Sequence, residues 1–75
     1  MKELVEVIAK ALVDSPDEVV VEEEKNGRNV TLTLHVAPDD MGKVIGKQGR
    51  IAKAIRGVVK AASTRENLRV DVDIK

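Results

Sequence analysis

The chain of 75 residues has no cysteine, phenylalanine, tyrosine or tryptophan, and only one histidine. Without cysteine it forms no disulfides, and with a single histidine it is a poor candidate for a zinc site. The lack of aromatic rings excludes any mode of recognition in which a flat ligand stacks on aromatic side chains. A chain this short buries only a thin core, which raises the expectation that it gains stability from a partner chain.

Charge is balanced in total but unevenly distributed along the chain. Thirteen Lys and Arg residues match thirteen Asp and Glu residues. Residues 1–35 hold four cations against eight carboxylates, whereas residues 36–75 hold nine against five. The N-terminal stretch has no continuous apolar run, so we expect neither a signal peptide nor a membrane span. With no cysteine, the chain fits a protein of the reducing cytoplasm.

The length of the chain predicts one domain over residues 1–75, and its hydrophobic pattern predicts the elements of that domain. Apolar residues at helical spacing mark the first and last helices, and strict alternation marks the second and third strands. Asn26-Gly27 predicts a tight hairpin between the first two strands. The predicted elements are a helix over 2–13, a strand from 19 to the glutamates 22–24, a strand over 30–36, a short helix over 41–45, a helix over 50–63 and a strand over 68–74.

The predicted element order is therefore αββααβ. The hairpin makes the first two strands antiparallel, and the helical crossover allows the last strand to lie parallel to a neighbour. This order predicts an α+β domain of two layers, with a three-stranded mixed sheet and the helices on one face.

The segment most indicative of function is the turn Gly46-Lys47-Gln48-Gly49. Between Lys43 and Lys60 the chain carries six cations and no carboxylate. Two glycines three residues apart allow close approach to the backbone, and the start of the helix after Gly49 favours an anion. By itself such a turn is more often a plain connection between helices. Its position between two helices within a basic run favours phosphate binding.

Five residues beside this turn complete the candidate site. Lys47 and Gln48 are placed to contact phosphate or sugar, and Val44 and Ile51 to offer an apolar surface to a base. Positive potential comes from the flanking cations Lys43, Arg50 and Lys53, with Arg56 and Lys60 farther along the helix.

The segment Val44-Ile45-Gly46-Lys47-Gln48-Gly49-Arg50-Ile51 resembles the signature of a KH domain, and the element order is that of the type II form. The likeness is greatest to the KhpA family, small bacterial proteins that consist of one KH domain. It extends over residues 1–4, 11–13, 16–17, 36–43 and 46–62.

This resemblance implies single-stranded RNA held beside the G-x-x-G turn across about four nucleotides. It implies that Gly46, Lys47, Gln48 and Gly49 contact the RNA backbone. It also implies a dimer, with itself or with a larger KH-domain protein, and a role in post-transcriptional regulation or RNA chaperoning. The absence of aromatic residues suits a KH groove, which recognises bases with aliphatic side chains, better than an RRM sheet.

Two catalytic or nucleotide-binding alternatives fit poorly. Gly42 and Gly46 are separated by three residues where a Walker A motif requires four, and Gln48 stands where that motif has Ser or Thr. The single histidine, His35, is predicted to face outward on a strand, and Asp39-Asp40 most simply cap a helix. No arrangement of nucleophile, base and orienting group is visible, so we expect neither an enzyme nor a cofactor.

A protein-interaction module and a DNA-binding protein remain as alternatives. The glutamates 22–24 and the cationic helix face are complementary in charge, although such runs are usually solvated. Gly57 lies mid-helix, where glycine costs about 1 kcal/mol relative to alanine. We interpret it as a close-packing position, within the chain or, less commonly, against a partner. A preference for RNA over single-stranded DNA is not encoded in any residue pattern, and duplex DNA is less favoured because few base-reading side chains follow the turn.

Overall fold

A computed structural model describes residues 1–75, except for the side chain of Lys47, which lies outside the described part. The predicted α+β fold is confirmed, with two differences in its elements. A short 3-10 helix is added between the first helix and the first strand, and the two helices predicted around the glycine turn form one helical run. The elements are helix α1 (Lys2–Leu12), the 3-10 helix (Pro16–Glu18), strands β1 (Val20–Asn26) and β2 (Asn29–His35), helix α2 (Pro38–Glu66) and strand β3 (Arg69–Ile74).

The three strands form one mixed sheet in the order β1-β2-β3. β1 and β2 are antiparallel, with Val20 opposite His35, and Gly27 takes the positive φ of 64° that their tight turn requires. β2 and β3 are parallel, with Val30 opposite Val70. The long connection through α2 makes this parallel pairing possible, as the element order predicted.

The core lies between one face of the sheet and the helices. On the central strand β2, Val30, Leu32 and Leu34 are buried and alternate with half-buried threonines, so one face of the sheet is apolar. The helices cover that face with buried residues of α1 and of both halves of α2, among them Val5, Ala9, Val44, Ile55 and Val59. The helices therefore form one layer and leave the other face of the sheet open.

Helix α2 is divided by a turn near its middle. Gln48 and Gly49 have φ angles of 62° and 68°, in the left-handed region, although helical turns continue on both sides. Two successive left-handed residues are incompatible with a straight right-handed helix. α2 thus consists of a first segment (38–47) and a second segment (50–66), in agreement with the two predicted helices, each of them longer than predicted.

In the described part of the chain, neither helix is long and apolar enough to cross a lipid bilayer.

Candidate nucleic-acid interface

The turn between the two segments of α2 presents an open backbone. A Cβ atom added at Gly46 or at Gly49 would meet no atom within 4 Å. Gly49 needs its freedom for the positive φ, but no internal contact explains the missing side chain at Gly46. The open space at Gly46 is thus available to a molecule outside the chain.

The second segment of α2 begins at this turn, and exposed polar side chains lie around its start. Gln48, Arg50 and Lys53 are all exposed. The first amide groups of a helix and the positive end of its dipole attract anions. The structure therefore places the predicted cations Arg50 and Lys53 at an end of a helix that favours phosphate, whereas the side chain of Lys47 lies outside the described part.

The apolar surface beside the turn differs from the prediction. Val44 is completely buried in the core, so its side chain offers no surface to a base, which corrects the expectation from the sequence. Its neighbour Ile45 is 55% exposed, and Ile51 is half-buried. Val44 follows the buried Asp40 by four residues, about one helical turn, so both lie on the inward face of the helix. Ile45, the next residue, faces outward. Ile45 is the apolar residue that the sequence reasoning missed.

Lys43 is linked to the end of α1. Its Nζ atom lies 3.1 Å from Oδ1 of Asp14, and both side chains are substantially exposed. An exposed ion pair of this kind contributes at most about 1 kcal/mol. Lys43 therefore remains able to exchange Asp14 for a phosphate at small cost.

The buried carboxylate of Asp40 joins α1 to α2. Its side chain is 1% exposed and accepts hydrogen bonds from the backbone N–H groups of Asp14 and Ser15, each at 3.0 Å. The sequence predicted a cap for its own helix, which is wrong, because the N-cap position is Ala37 and no side chain caps it. Asp40 instead fixes the loop after α1 against the first segment of α2.

A groove of about 690 Å³ lies between the second segment of α2 and strand β3. Arg56 and Lys60 line its helical wall, and the Nη2 atom of Arg56 lies 3.4 Å from the carbonyl oxygen of Val72 on the opposite wall. Sequence reasoning gave these two cations less weight than those at the turn. It missed the β3 wall altogether, because the pairing of β3 with the helix depends on long-range packing.

The open face of the sheet carries the opposite charge. In register, Glu22 and Asp73 flank Thr33, and Glu24 lies across Thr31 from Asp71. His35, predicted to lie on a strand surface, is half-buried there and shares a 2.6 Å hydrogen bond with Glu22. The four carboxylates on this face make it unfavourable for an anion.

The second segment of α2 also has an exposed face of small and apolar residues, Ala54, Gly57, Val58 and Ala61, called here the small-residue face. They recur at the 3- and 4-residue spacing of one helical stripe. A Cβ added at Gly57 would meet no atom within 4 Å, so the expected close packing within the chain is wrong. Val58 is 41% exposed on the same stripe.

Among the residues whose side chains are described, no group of His, Asp and Glu is arranged to hold a metal ion. The chemistry of this surface is that of exposed cations, amide groups and one apolar patch around an open turn.

Comparison with known proteins assigns the family. Residues 2–74 match the family model for the KH domain of KhpA/KhpB. The chain is 65% identical to the RNA-binding protein KhpA of Clostridium acetobutylicum and 64% identical to that of Clostridium perfringens, over 99% of each chain. The protein of the same name from Halalkalibacterium halodurans is 61% identical over 99% of this chain and 97% of its own. No solved structure matches significantly. The relatives are named as binding proteins, which agrees with the prediction of a non-catalytic chain. The chain belongs to the KhpA/KhpB family of KH domains.

Proposed function

We propose that this protein binds single-stranded RNA without catalysis, through the Gly46–Gly49 turn and the adjoining groove. The observation that carries the proposal is the placement of the exposed cations Arg50 and Lys53 beside a turn whose two glycines leave the backbone uncovered. The names of its relatives, which are RNA-binding proteins, point to the same ligand. The process it serves is post-transcriptional regulation or RNA chaperoning in the cytoplasm.

In the proposed complex the RNA backbone passes over Gly46 and Gly49, where no side chain keeps it away. Lys47 and Gln48 contact phosphate or sugar, and Arg50 and Lys53 supply charge at the start of the second segment. Ile45 and Ile51 provide the apolar surface for a base in place of the buried Val44. Lys43 exchanges its ion pair with Asp14 for a contact with an RNA phosphate.

The proposal is tested by titrating the protein with a short RNA of random sequence while following its backbone amide signals by NMR. We expect shifts confined to residues 43–53 and to the groove. A DNA of the same length serves as a matched probe for the contribution of the 2′-hydroxyl group. If neither strand shifts any signal, the proposal is wrong.

Binding should weaken steeply as salt rises. If two to four phosphates are neutralised, log K against log salt should fall with a slope of roughly −1.5 to −3 for a single strand, because bound counterions are released. Fluorescence anisotropy at several salt concentrations measures that slope. A flat response would show that the cations of 43–60 do not hold the strand.

A second candidate function is association with another KH domain, either a second copy or a larger partner. The observation that favours it is the small-residue face, because Gly57 and the exposed Val58 lie open there and a chain this short gains stability from a partner. Small residues allow two helices to approach closely. The two functions are compatible, since this face and the turn involve different residues of the second segment.

Changing Val58 to Asp should convert a dimer into a monomer, because the contact would bury two unpaired carboxylates near the symmetry axis. Light scattering coupled to size-exclusion chromatography gives the mass. The control is Val7→Asp, which places the same charge on a 68% exposed residue of α1. A parent that is monomeric at all concentrations, or a Val58→Asp variant that stays dimeric, would count against this interface.

A further inference from the structure

The groove beside β3 does not end at the last turn of α2. A smaller cavity of about 360 Å³ adjoins it and is lined by Arg28, Asn29, Asn67, Leu68 and Arg69. Leu68 and Arg69 line both spaces, so the two lie side by side. Together they are called here the depression, whose lining extends from Arg56 to the turn of the hairpin.

Backbone hydrogen bonds fix the chain at the far end of this depression, beside the hairpin turn. The N–H group of Arg69 donates to the carbonyl oxygen of Arg28 at 2.8 Å, which ties the hairpin turn to the start of β3. Asn67 ends α2 in the left-handed conformation, and the N–H group of Leu68 donates to Ser63 at 2.8 Å. Two arginines from separate parts of the chain are thereby held next to each other.

The two ends of the depression differ in charge, and the far end, beside the hairpin turn, is the one that favours anions. Asp71 and Asp73 border the larger groove where the edge strand β3 meets the open face of the sheet, whereas none of the five residues that line the smaller cavity is acidic. Within the described part of the chain, the side chains of Arg28 and Arg69 form no ion pair. Their charge is available to a ligand, and the two asparagines beside them add amide donors.

The distance from the Gly46–Gly49 turn to the far end of the depression fits a longer RNA strand than the four nucleotides that the family resemblance implies. Glu66 lies 17 positions after Gly49 along the helix, which is about 25 Å at a rise of about 1.5 Å per residue. A stacked single strand advances about 3.4 Å per nucleotide, so this distance corresponds to about seven nucleotides, and an extended strand needs fewer. A site for four nucleotides at the turn does not extend to the hairpin.

We infer that Arg28 and Arg69 form a second phosphate-binding site, which extends the RNA path beyond the turn to a strand of about eight nucleotides. This inference rests on the function proposed above. Along the way, Arg56 and Lys60 attract the backbone to the α2 wall while Asp71 and Asp73 repel it from the β3 wall. The strand then reaches the two arginines, which bind phosphate through their forked guanidinium groups.

The test compares the parent with the double variant Arg28→Gln, Arg69→Gln on tetranucleotide and octanucleotide RNAs of random sequence. For the octanucleotide we expect the variant to lose roughly tenfold in affinity at about 0.1 M salt, and the salt slope to become shallower by about 1.4, because two phosphate contacts are lost. For the tetranucleotide the two proteins should bind equally. An octanucleotide can bind a single site in several overlapping registers, so it binds more tightly than a tetranucleotide even without a second site. The arginine variant, and not the comparison of RNA lengths alone, therefore tests the second site.

The control is Lys2→Gln, Lys10→Gln, which removes the same two charges from exposed positions on α1. It should bind the octanucleotide nearly as well as the parent. If the arginine variant binds the octanucleotide like the parent, or if both double variants lose the same affinity, the second site is wrong while the proposed function stands. If the parent binds neither RNA, the proposed function fails and the second site with it.

Discussion

Replacing Lys47 and Gln48 together by aspartate should reduce RNA affinity by more than about a hundredfold. The change places two carboxylates where the strand passes closest to the backbone, between Gly46 and Gly49. Like charges forced together at an interface cost several kcal/mol, and each ~1.4 kcal/mol is a factor of ten in affinity. Fluorescence anisotropy with a short RNA at constant salt measures the loss.

The fold should survive this substitution. Gln48 is exposed and already in the left-handed region, with φ of 62°, where aspartate is more readily accommodated than glutamine. Thermal unfolding followed by circular dichroism should therefore show a midpoint close to that of the parent. A loss of RNA binding that accompanied a loss of structure would not support the role of the turn.

Two further variants separate the site from the overall charge. Lys47→Gln with Gln48→Asn removes one cation without adding carboxylates, and it should weaken binding only severalfold. Lys2→Glu with Lys10→Gln changes the net charge by the same three units as the aspartate variant, but on α1, and it should bind nearly as well as the parent. If the aspartate variant binds RNA like the parent, the turn is not the site.

The fold was predictable because its helices and strands follow from local sequence patterns. Alternation of Val30, Leu32 and Leu34 with threonines gives a strand with one buried face, and Asn26-Gly27 gives the hairpin. The parallel pairing of β3 follows from the helical crossover between β2 and β3. These features depend on residues close together in the chain, so the sequence contains them without knowledge of the packing.

The site was less predictable where it depends on contacts between distant residues. Val44 and Ile45 are adjacent and both apolar, and a five-residue helix is too short for periodicity to decide which one faces the core. The structure decides in favour of Val44. Gly57 was misjudged for a related reason, because a mid-helix glycine shows that a side chain is absent but not whether a neighbour fills the space.

Asp40 is the clearest case of a long-range role, because its partners Asp14 and Ser15 lie 26 and 25 positions away. Changing Asp40 to Ala should lower the free energy of unfolding by about 2–3 kcal/mol, since it leaves two part-buried N–H groups without their acceptors. In a domain of this size that corresponds to a fall in the unfolding midpoint of about 10–20 °C. Asp40→Asn should also destabilise, because an amide offers one acceptor oxygen where the carboxylate offers two.

The adjacent Asp39 provides the matched control for Asp40. It carries the same charge in the same first turn of α2, but it is exposed and has no hydrogen-bond partner among the described side chains. Asp39→Ala should therefore cost only the favourable interaction of a carboxylate with the helix dipole, about 0.3–1 kcal/mol. Urea unfolding of the two variants gives both free energies. Equal losses would mean that Asp40 acts through charge alone, whereas a larger loss at Asp40 shows that its two hydrogen bonds hold the end of α1 against the segment that leads into the RNA-binding turn.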